Sequence, residues 1–393
     1  MVILPKVRGF ICTTAHPVGC RANVKEQIDY VKSQPKTSGC KKALIIGASM
    51  GYGLASRISA AYTCDAATIG VIFDKPGTEG KTGSAGWYNT AAFEEFAHAD
   101  SLYAKTVNGD AYSKEIKDQV IDLIKKDLGK IDLLVYSLAA PRRTTADGTT
   151  YSSVLKTVGE TFENKTIDLR TGEITRASIP AATAEEVEAT IKVMGGEDWL
   201  EWIDALKAAD AITEDAVTMA YSYIGPVLTH AVYKDGSIGQ AKNHLYETSV
   251  EIAKKYPGIR SYISVNKALV TQSSAAIPVV PLYISLLYKV MKDKGVHEDC
   301  IRQMYRLLNQ RVYAGNCTTD DMGRIRMDDL EMADDIQNAV SAVWETVDQE
   351  SIKNDGDLEG YWDDFYKLFG FNMPGVDYDA DVSAIYNIAS IDG

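Results

Sequence analysis

The chain has 393 residues, of which 46% are apolar and 24% are charged, a composition typical of a soluble globular protein. It excludes a collagen-like chain, a disordered chain and a small disulfide scaffold. The net charge of −13 is uneven, because residues 317–393 hold 19 Asp/Glu against 4 Lys/Arg, which leaves residues 1–316 at about +2. Since no basic stripe is present, we expect no nucleic-acid partner.

The cysteine pattern and the apolar stretches predict a cytoplasmic protein without stable membrane insertion. The six cysteines form no paired framework, and the N-terminus lacks the charged and apolar pattern of a signal peptide. The longest apolar stretch, residues 275–287, contains two prolines and is too short for a bilayer of about 30 Å. Cys12, His16 and Cys20 have a spacing similar to a metal clamp but lack a second ligand pair, so we expect no metal.

From residue 42 onward, apolar strands alternate with helical patterns. Strands are predicted at 43–46, 67–73, 102–107, 131–136, 216–222 and 259–265, and helices at 54–62, 90–98, 114–127 and 237–255. This alternation indicates parallel βαβ units and hence an α/β fold with a doubly wound parallel sheet.

The rhythm breaks between residues 142 and 213, where a hairpin at 165–176 and a helix at 184–193 are predicted. We therefore expect one extended Rossmann-type domain. Its nucleotide-binding core would comprise residues 42–141 and 214–275, with an insertion at 142–213 and a helical, substrate-lining and acidic part at 276–393.

A glycine-rich turn directly follows the first predicted strand. In Gly47-Ala-Ser-Met-Gly51-Tyr-Gly53 the glycines let a pyrophosphate approach the backbone amides at the start of a helix. Its G-x3-G-x-G spacing differs from the common G-x-G-x-x-G fingerprint, so a turn without a ligand is the alternative.

Asp74, at the end of the second strand, supports the nucleotide interpretation, because a carboxylate there can accept hydrogen bonds from the adenosine ribose. It favours NADH, since the 2′-phosphate of NADPH would face an anion. Asp110-Ala111 and Ser137-Leu138-Ala139 follow two further strands at the same sheet edge.

The chemical site is predicted from tyrosine and lysine spacing. Ketone-reducing short-chain dehydrogenases use Tyr-x3-Lys, and we expect this chain to lack that dyad. Tyr233 and Lys242 are nine residues apart and can converge through a loop, whereas Tyr246 and Lys255 would lie on opposite faces of one helix. An ammonium near a phenol should lower the pKa of the phenol.

Residues 277–291 are the candidate wall of an apolar pocket. Ile284, Leu287 and Met291 share one helical stripe there. A plain core helix is the alternative for each of them.

Several long motifs together resemble the trans-2-enoyl-CoA reductase family, which includes the FabV-type enoyl-acyl-carrier-protein reductases. They are Gly47-Ala-Ser-Met-Gly-Tyr52, Val193-Met-Gly-Gly-Glu-Asp-Trp199, Tyr221-Ser-Tyr-Ile-Gly-Pro226, Tyr233-x8-Lys242 and Ser264-Val-Asn-Lys-Ala-Leu-Val-Thr271. The resemblance covers essentially the whole chain. It implies NADH-dependent saturation of the C2=C3 bond of an enoyl-CoA or enoyl-acyl-carrier-protein, in fatty-acid synthesis, by a monomer or weak homodimer.

The resemblance also implies residue roles. Tyr233 would be the proton donor, Tyr223 would contact the substrate and Lys242 would hold the cofactor. The implied NADH contacts are Gly47, Ala48, Ser49, Met50, Gly51, Tyr52, Phe73, Asp74, Asp110, Ala111, Leu138, Ala139, Leu269, Val270 and Thr271. The alternatives are a short-chain carbonyl or alcohol dehydrogenase and a non-catalytic NAD(H)-binding protein.

Overall fold

The fold is built on a parallel sheet whose strands alternate with helices. The computed structural model describes residues 1–8, 11–271, 274 and 277–392. Within them the sheet strands are Lys42–Ile46 (β3), Ala67–Ile72 (β4), Ala104–Asn108 (β5), Ile131–Tyr136 (β6), Ile212–Ser222 (β11), Arg260–Val265 (β12) and Ile325–Arg326 (β13). Shorter strands outside it are Val7–Arg8 (β1), Ile11–Cys12 (β2), Arg142–Thr144 (β7), Thr150–Ser152 (β8), Phe162–Asp168 (β9) and Glu173–Ile179 (β10).

Helices cover both faces of this sheet. The longer ones are Pro17–Lys32 (α1), Gly51–Thr63 (α2), Ala85–Ala99 (α3), Lys114–Leu123 (α4), Ala184–Met194 (α5), Glu197–Ala208 (α6), Ser237–Lys255 (α8), Val280–Asp293 (α9), Asp334–Thr346 (α11) and Leu358–Lys367 (α13). The shorter ones are Val227–His230 (α7), Cys300–Arg306 (α10), Ile352–Asp355 (α12) and Ala389–Asp392 (α14), and π-helical turns at Ile124–Leu128 and Leu307–Val312 extend α4 and α10.

The strand order is β13-β12-β11-β6-β3-β4-β5, and every neighbouring pair is parallel. The predicted doubly wound sheet is therefore confirmed. The order reverses between β3 and β6, where Ile46 pairs with Tyr136. Ligands of open α/β sheets bind beyond the carboxyl ends of the strands at such a point.

Two apolar layers hold the sheet between the helices. Alternate residues of β3 enter opposite layers, with Ala43 and Ile45 in one and Leu44 and Ile46 in the other, and all four are buried. Such continuous apolar strands are what a sheet covered on both faces requires.

The segment after β6 leaves the sheet before β11 returns to it. It contains the hairpins β7–β8 and β9–β10 and the helices α5 and α6, so the predicted hairpin and helix are present. Arg143 is buried here and forms ion pairs with Glu197 and Glu201, which ties β7 to α6. The predicted boundary at 275 and 276 falls on residues outside those described.

The end of the chain packs beside the edge strand β5. Ser390 Oγ accepts a hydrogen bond from the Thr106 amide at 2.8 Å and donates one to Glu94 Oε1 at 2.7 Å. Across the described part of the chain, no helix is both long and apolar enough to cross a membrane.

Candidate active site

A cavity of about 520 Å³ opens at the carboxyl edge of the sheet, beside the point where the strand order reverses. It is lined by the segments that follow β3, β4, β5, β6, β11 and β12. The predicted site residues on its wall are Gly47, Ser49, Met50, Gly51, Tyr52, Phe73, Asp74, Asp110, Ala111, Leu138, Ala139, Tyr223, Tyr233, Lys242, Leu269 and Thr271. Of the predicted cofactor-binding residues, Ala48 and Val270 do not line it.

The glycine turn fits an anion at the start of α2. Gly47 has a φ of 79°, and a Cβ there would overlap the carbonyl oxygen of Ser137, so the turn can pass close to β6 only with glycine. The α2 helix has no side-chain cap at Met50 and no acidic residue in its first turn. Its first amides are therefore suited to a pyrophosphate. Ala48 is fully buried behind the turn, where its amide bonds to Val71.

Asp74 stands two residues after the end of β4 and lines the cavity. It accepts a hydrogen bond of 2.7 Å from Ser84 Oγ, and its amide donates to Asn108 Oδ1 at 2.9 Å. Burial raises the pKa of Asp74 above its usual value. The neighbouring Phe73 is exposed, so its ring is available at the same edge of the cavity.

Tyr233 and Lys242 lie on the same cavity although they belong to different elements. Tyr233 is in the turn after α7, where its amide donates to the Thr229 carbonyl at 2.9 Å, and Lys242 is on α8. Gly239 allows the approach, because a Cβ there would overlap the carbonyl oxygens of Tyr233 and Lys234. Lys242 Nζ donates to the Tyr221 carbonyl at 2.8 Å.

Tyr223 and Tyr233 pack edge to face, with ring centroids 4.7 Å apart. Burial raises the pKa of Tyr233 to about 12 and lowers the pKa of Lys242 to about 8. The pKa of Tyr233 is therefore raised and not lowered as expected from the nearby ammonium, because loss of solvent dominates. Tyr233 is accordingly a neutral hydrogen-bond donor at pH 7.

The expectation that the chain lacks the Tyr-x3-Lys spacing is also wrong, since Tyr288 and Lys292 on α9 have it. Their positions do not form the dehydrogenase dyad, however. Tyr288 accepts a hydrogen bond from the Val270 amide at 3.0 Å, and Lys292 pairs with Asp357 at 2.6 Å. Neither lines the large cavity; Val270 and Tyr288 line a smaller one of about 190 Å³ beside it.

The predicted apolar wall is only partly formed by the expected stripe. Ile284 lines the cavity together with Val280, one turn earlier on α9. Leu287 and Met291 are fully buried in the core instead. The stripe drifts away from the cavity because α9 continues under α11 and α13, which pack against it.

Some lining residues were not predicted individually. Asn266, Lys267 and Ala268 line the cavity just before Leu269, and Ser137 faces Gly47. Lys267 is buried, and that burial lowers its pKa to about 8. The first three fall within the quoted motif 264–271, and Ser137 begins the segment Ser137-Leu138-Ala139 that was predicted at this sheet edge.

In the Cys12-His16-Cys20 segment, the histidine caps the start of α1. His16 precedes this helix, and its Nδ1 accepts a hydrogen bond from the Gly19 amide at 3.1 Å. Among the residues that the structure describes, no group of three His, Cys, Asp or Glu side chains is placed to hold a metal ion.

A glycine turn and a strand-end carboxylate at the switch point, with a phenol and an ammonium on the same cavity, define a dinucleotide-dependent oxidoreductase of the Rossmann class. Family models agree: the trans-2-enoyl-CoA reductase catalytic region matches residues 81–313, and the NAD(P)H binding domain of trans-2-enoyl-CoA reductase matches residues 2–79. The chain belongs to the trans-2-enoyl-CoA reductase family.

Individual relatives are similar along their whole length. The chain is 57% identical to the enoyl-acyl-carrier-protein reductase (NADH) of Flavobacterium johnsoniae and 53% identical to the trans-2-enoyl-CoA reductase (NADH) of Ruminiclostridium cellulolyticum. Both alignments cover 100% of this chain and 100% of the relative. The crystal structure of Clostridium acetobutulicum trans-2-enoyl-CoA reductase with NADH superposes with a TM-score of 0.95, at 46% identity over 98% of both chains. The Treponema denticola enzyme with NAD also gives 0.95, at 49% identity over 98% of this chain and 99% of that one.

A third family model, described as an enoyl reductase FAD binding domain, matches residues 319–382. The residues present do not fit a flavin. The helices α11 and α13 pack against α9, and their aromatic residues Trp344, Tyr361 and Phe365 are buried in the same apolar core. The segment also carries 18 Asp/Glu against 4 Lys/Arg, which opposes a dinucleotide pyrophosphate.

Proposed function

We propose that this chain uses NADH to reduce the C2=C3 double bond of trans-2-enoyl thioesters, giving saturated acyl thioesters for fatty-acid synthesis. The observation that carries the proposal is the single cavity on which Tyr223, Tyr233 and Lys242 lie together with the glycine turn and Asp74. The proposed NADH-holding residues are those of the resemblance, with Ala48 and Val270 acting from behind the wall.

When bound, NADH supplies the hydride that adds to C3 of the substrate. Negative charge then develops on the thioester oxygen, and a hydrogen-bond donor aimed at that oxygen accelerates the step. Tyr233 is the proposed donor, because burial keeps its phenol protonated at neutral pH. Tyr233 also provides the proton that completes C2, and Lys242 binds the ribose of the cofactor.

The substrate carrier is proposed to be either CoA or acyl carrier protein, since the relatives bear names of both kinds. The acyl chain would extend along Val280 and Ile284. The assembly is proposed to be a monomer or weak homodimer in the cytoplasm, organised as one extended Rossmann-type domain with the insertion between β6 and β11.

The test is an acceptor scan in which the loss of NADH absorbance is followed with crotonyl-CoA, with acetoacetyl-CoA and without acceptor. The proposal expects turnover with crotonyl-CoA alone. Reduction of acetoacetyl-CoA instead would indicate a carbonyl reductase, and NADH binding without turnover on any acceptor would indicate a non-catalytic protein. Matched C4 and longer substrates on both carriers then identify the preferred one.

A further inference from the structure

A buried carboxylate of the acidic C-terminal part is hydrogen-bonded to Tyr223, which lines the cavity. Glu331 is fully buried, and its Oε1 accepts hydrogen bonds from the hydroxyls of Tyr283 at 2.7 Å and Tyr223 at 3.1 Å. Its Oε2 accepts from the Ala268 amide at 2.7 Å. One side chain thus connects a tyrosine of the substrate side with the loop proposed to hold the cofactor.

The proton of Tyr283 is fixed by a further neighbour. Gln337 Nε2 donates to the Tyr283 hydroxyl at 3.1 Å and to the main-chain carbonyl of Glu331 at 2.7 Å. The second bond sets the orientation of the amide, because only its nitrogen can donate to a carbonyl. Tyr283 therefore accepts from Gln337 and gives its own proton to Glu331.

The charge of Glu331 is supported on its other side. Lys267 is buried nearby, and its Nζ donates to the Ala268 carbonyl at 2.9 Å, so Lys267 and Glu331 hold Ala268 by opposite groups of its backbone. Burial and the nearby charge of Asp328 raise the pKa of Glu331, whereas Lys267, Tyr283 and the Ala268 amide lower it. Three donors converging on two oxygens are the surroundings expected for an ionised carboxylate.

A phenol has one proton, and this count decides what Tyr223 can do. While that proton is given to Glu331, the Tyr223 oxygen can only accept hydrogen bonds from the cavity. Its ring is held 4.7 Å from the ring of Tyr233, and both line the cavity. The two adjacent phenols therefore differ in hydrogen bonding: Tyr233 can donate its proton into the cavity, whereas Tyr223 cannot.

We propose that Glu331 is a positioning residue that withholds the hydroxyl proton of Tyr223, so that Tyr233 is the sole phenol that donates to the thioester oxygen. This inference rests on the proposed function. It extends that function by assigning a role to Glu331, which lies 108 positions after Tyr223 in the sequence, on a segment outside the proposed nucleotide-binding core.

The test uses the effect of Glu331→Gln on kcat, which should be a gain in the Tyr233→Phe background but not in the wild type. A purely structural role would not produce this difference. Tyr233→Phe removes the donor and should lower kcat for crotonyl-CoA by about 100-fold or more. Adding Glu331→Gln should then raise kcat about tenfold. The glutamine oxygen still accepts from Ala268, while its NH₂ faces the phenols and turns the Tyr223 proton toward the substrate. In the wild-type background the same Glu331→Gln change should not raise kcat.

Three controls define the result. Adding Tyr223→Phe to the recovered double variant should abolish the gain, because the released proton belongs to Tyr223. Asp328→Asn neutralises another fully buried carboxylate of the same segment, one that pairs with Arg326 at 2.6 Å, and should give no gain with Tyr233→Phe. The Kd for NADH and the thermal unfolding midpoint should show that each variant is folded and binds cofactor.

Folded, NADH-binding Tyr233→Phe/Glu331→Gln protein without recovery would overturn this inference, and so would recovery that survives Tyr223→Phe. Should Glu331→Gln not fold, Glu331→Asp is the second variant. Its shorter side chain can keep the Ala268 bond but withdraws from Tyr223, so the same recovery is expected. Absence of turnover by the wild-type chain overturns the proposed function together with this inference, whereas turnover without recovery overturns this inference alone.

Discussion

The ammonium of Lys242 donates a 2.8 Å hydrogen bond to the main-chain carbonyl of Tyr221, near the end of the strand that precedes Tyr223. This bond joins helix α8 to the carboxyl edge of β11. The lysine proposed to hold the cofactor and the tyrosines proposed to contact the substrate therefore share one framework. A substitution that disturbs this connection between α8 and β11 should reduce turnover more strongly than it reduces the stability of the fold.

Tyr233→Phe should lower kcat by about 10²- to 10³-fold, because it removes one donor from the oxygen where charge develops. The Kd for NADH, measured by fluorescence, should stay within about twofold. Tyr246→Phe is the matched control, since Tyr246 lies on α8 and packs in the other apolar layer. Full turnover by Tyr233→Phe would remove this residue from the site.

The affinity for NADH should fall as the pH rises through about 8. Burial lowers the pKa of Lys242 to about 8, so the free chain loses the ammonium above that pH and must recover a proton to bind the cofactor. The Kd should then increase by up to about tenfold per pH unit. Lys267 has a similar pKa, so Lys242→Met is titrated in parallel; it should bind more weakly and show a flatter profile. An unchanged profile in Lys242→Met would assign the titration to another group.

Gly239→Ala should reduce kcat by about 10- to 100-fold, because the added methyl group displaces the backbone of Tyr233 and Lys234. NADH binding should be affected less than turnover, since the glycine turn at residue 47 is distant in the sequence and belongs to another loop. Asn243→Ala, on an exposed position of the same helix, is the control and should change kcat by less than about twofold. Equal losses in the two variants would argue against the close approach.

Asp74→Asn should narrow the preference for NADH over NADPH by about tenfold, because it removes an anion from the position proposed to face the adenosine ribose. The measurement is the ratio of kcat/KM for the two cofactors with crotonyl-CoA. Asp65→Asn, an exposed acidic residue that pairs with Lys36, is the control for a general change of charge. A ratio that does not move would place the ribose elsewhere.

Ile284→Phe should shift the preference toward shorter acyl chains, because Ile284 lies on the cavity wall. The readout is kcat/KM across a series of chain lengths on one carrier. Leu287→Met is the matched control on the same helix, since Leu287 is buried away from the cavity and the change conserves volume. An unchanged series for Ile284→Phe would return this residue to the core.

The parallel sheet could be predicted because its strands are apolar on both faces and are separated by regular helices. The α1 helix is not apparent from the sequence pattern, since its charged residues obscure the apolar stripe through Val24, Ile28 and Val31. The two-residue strand β13 is too short to give a pattern, although it extends the sheet to seven strands in the described residues.

The candidate site was predictable where a glycine or an aspartate stands at the end of a predicted strand, and where a tyrosine and a lysine have the spacing of Tyr233 and Lys242. No sequence pattern indicates that Glu331 belongs to the site, because one carboxylate among many in an acidic segment is expected to be a solvated surface charge. Only the packing of α9 and the loop at 266–271 around it shows that it is buried. The pKa of Tyr233 could not be predicted from the sequence for a related reason, because the cost of losing solvent depends on burial, which spacing alone does not give.

Ser390 covers both polar backbone groups of Thr106: its Oγ accepts a hydrogen bond from the Thr106 amide at 2.8 Å and lies 3.3 Å from the Thr106 carbonyl oxygen. These are groups that the outermost strand β5 would otherwise offer to a strand of another molecule. The helical turn α14 therefore covers the edge of β5 and opposes edge-to-edge aggregation. A C-terminal tag or truncation near residue 390 would expose this edge without changing the cavity.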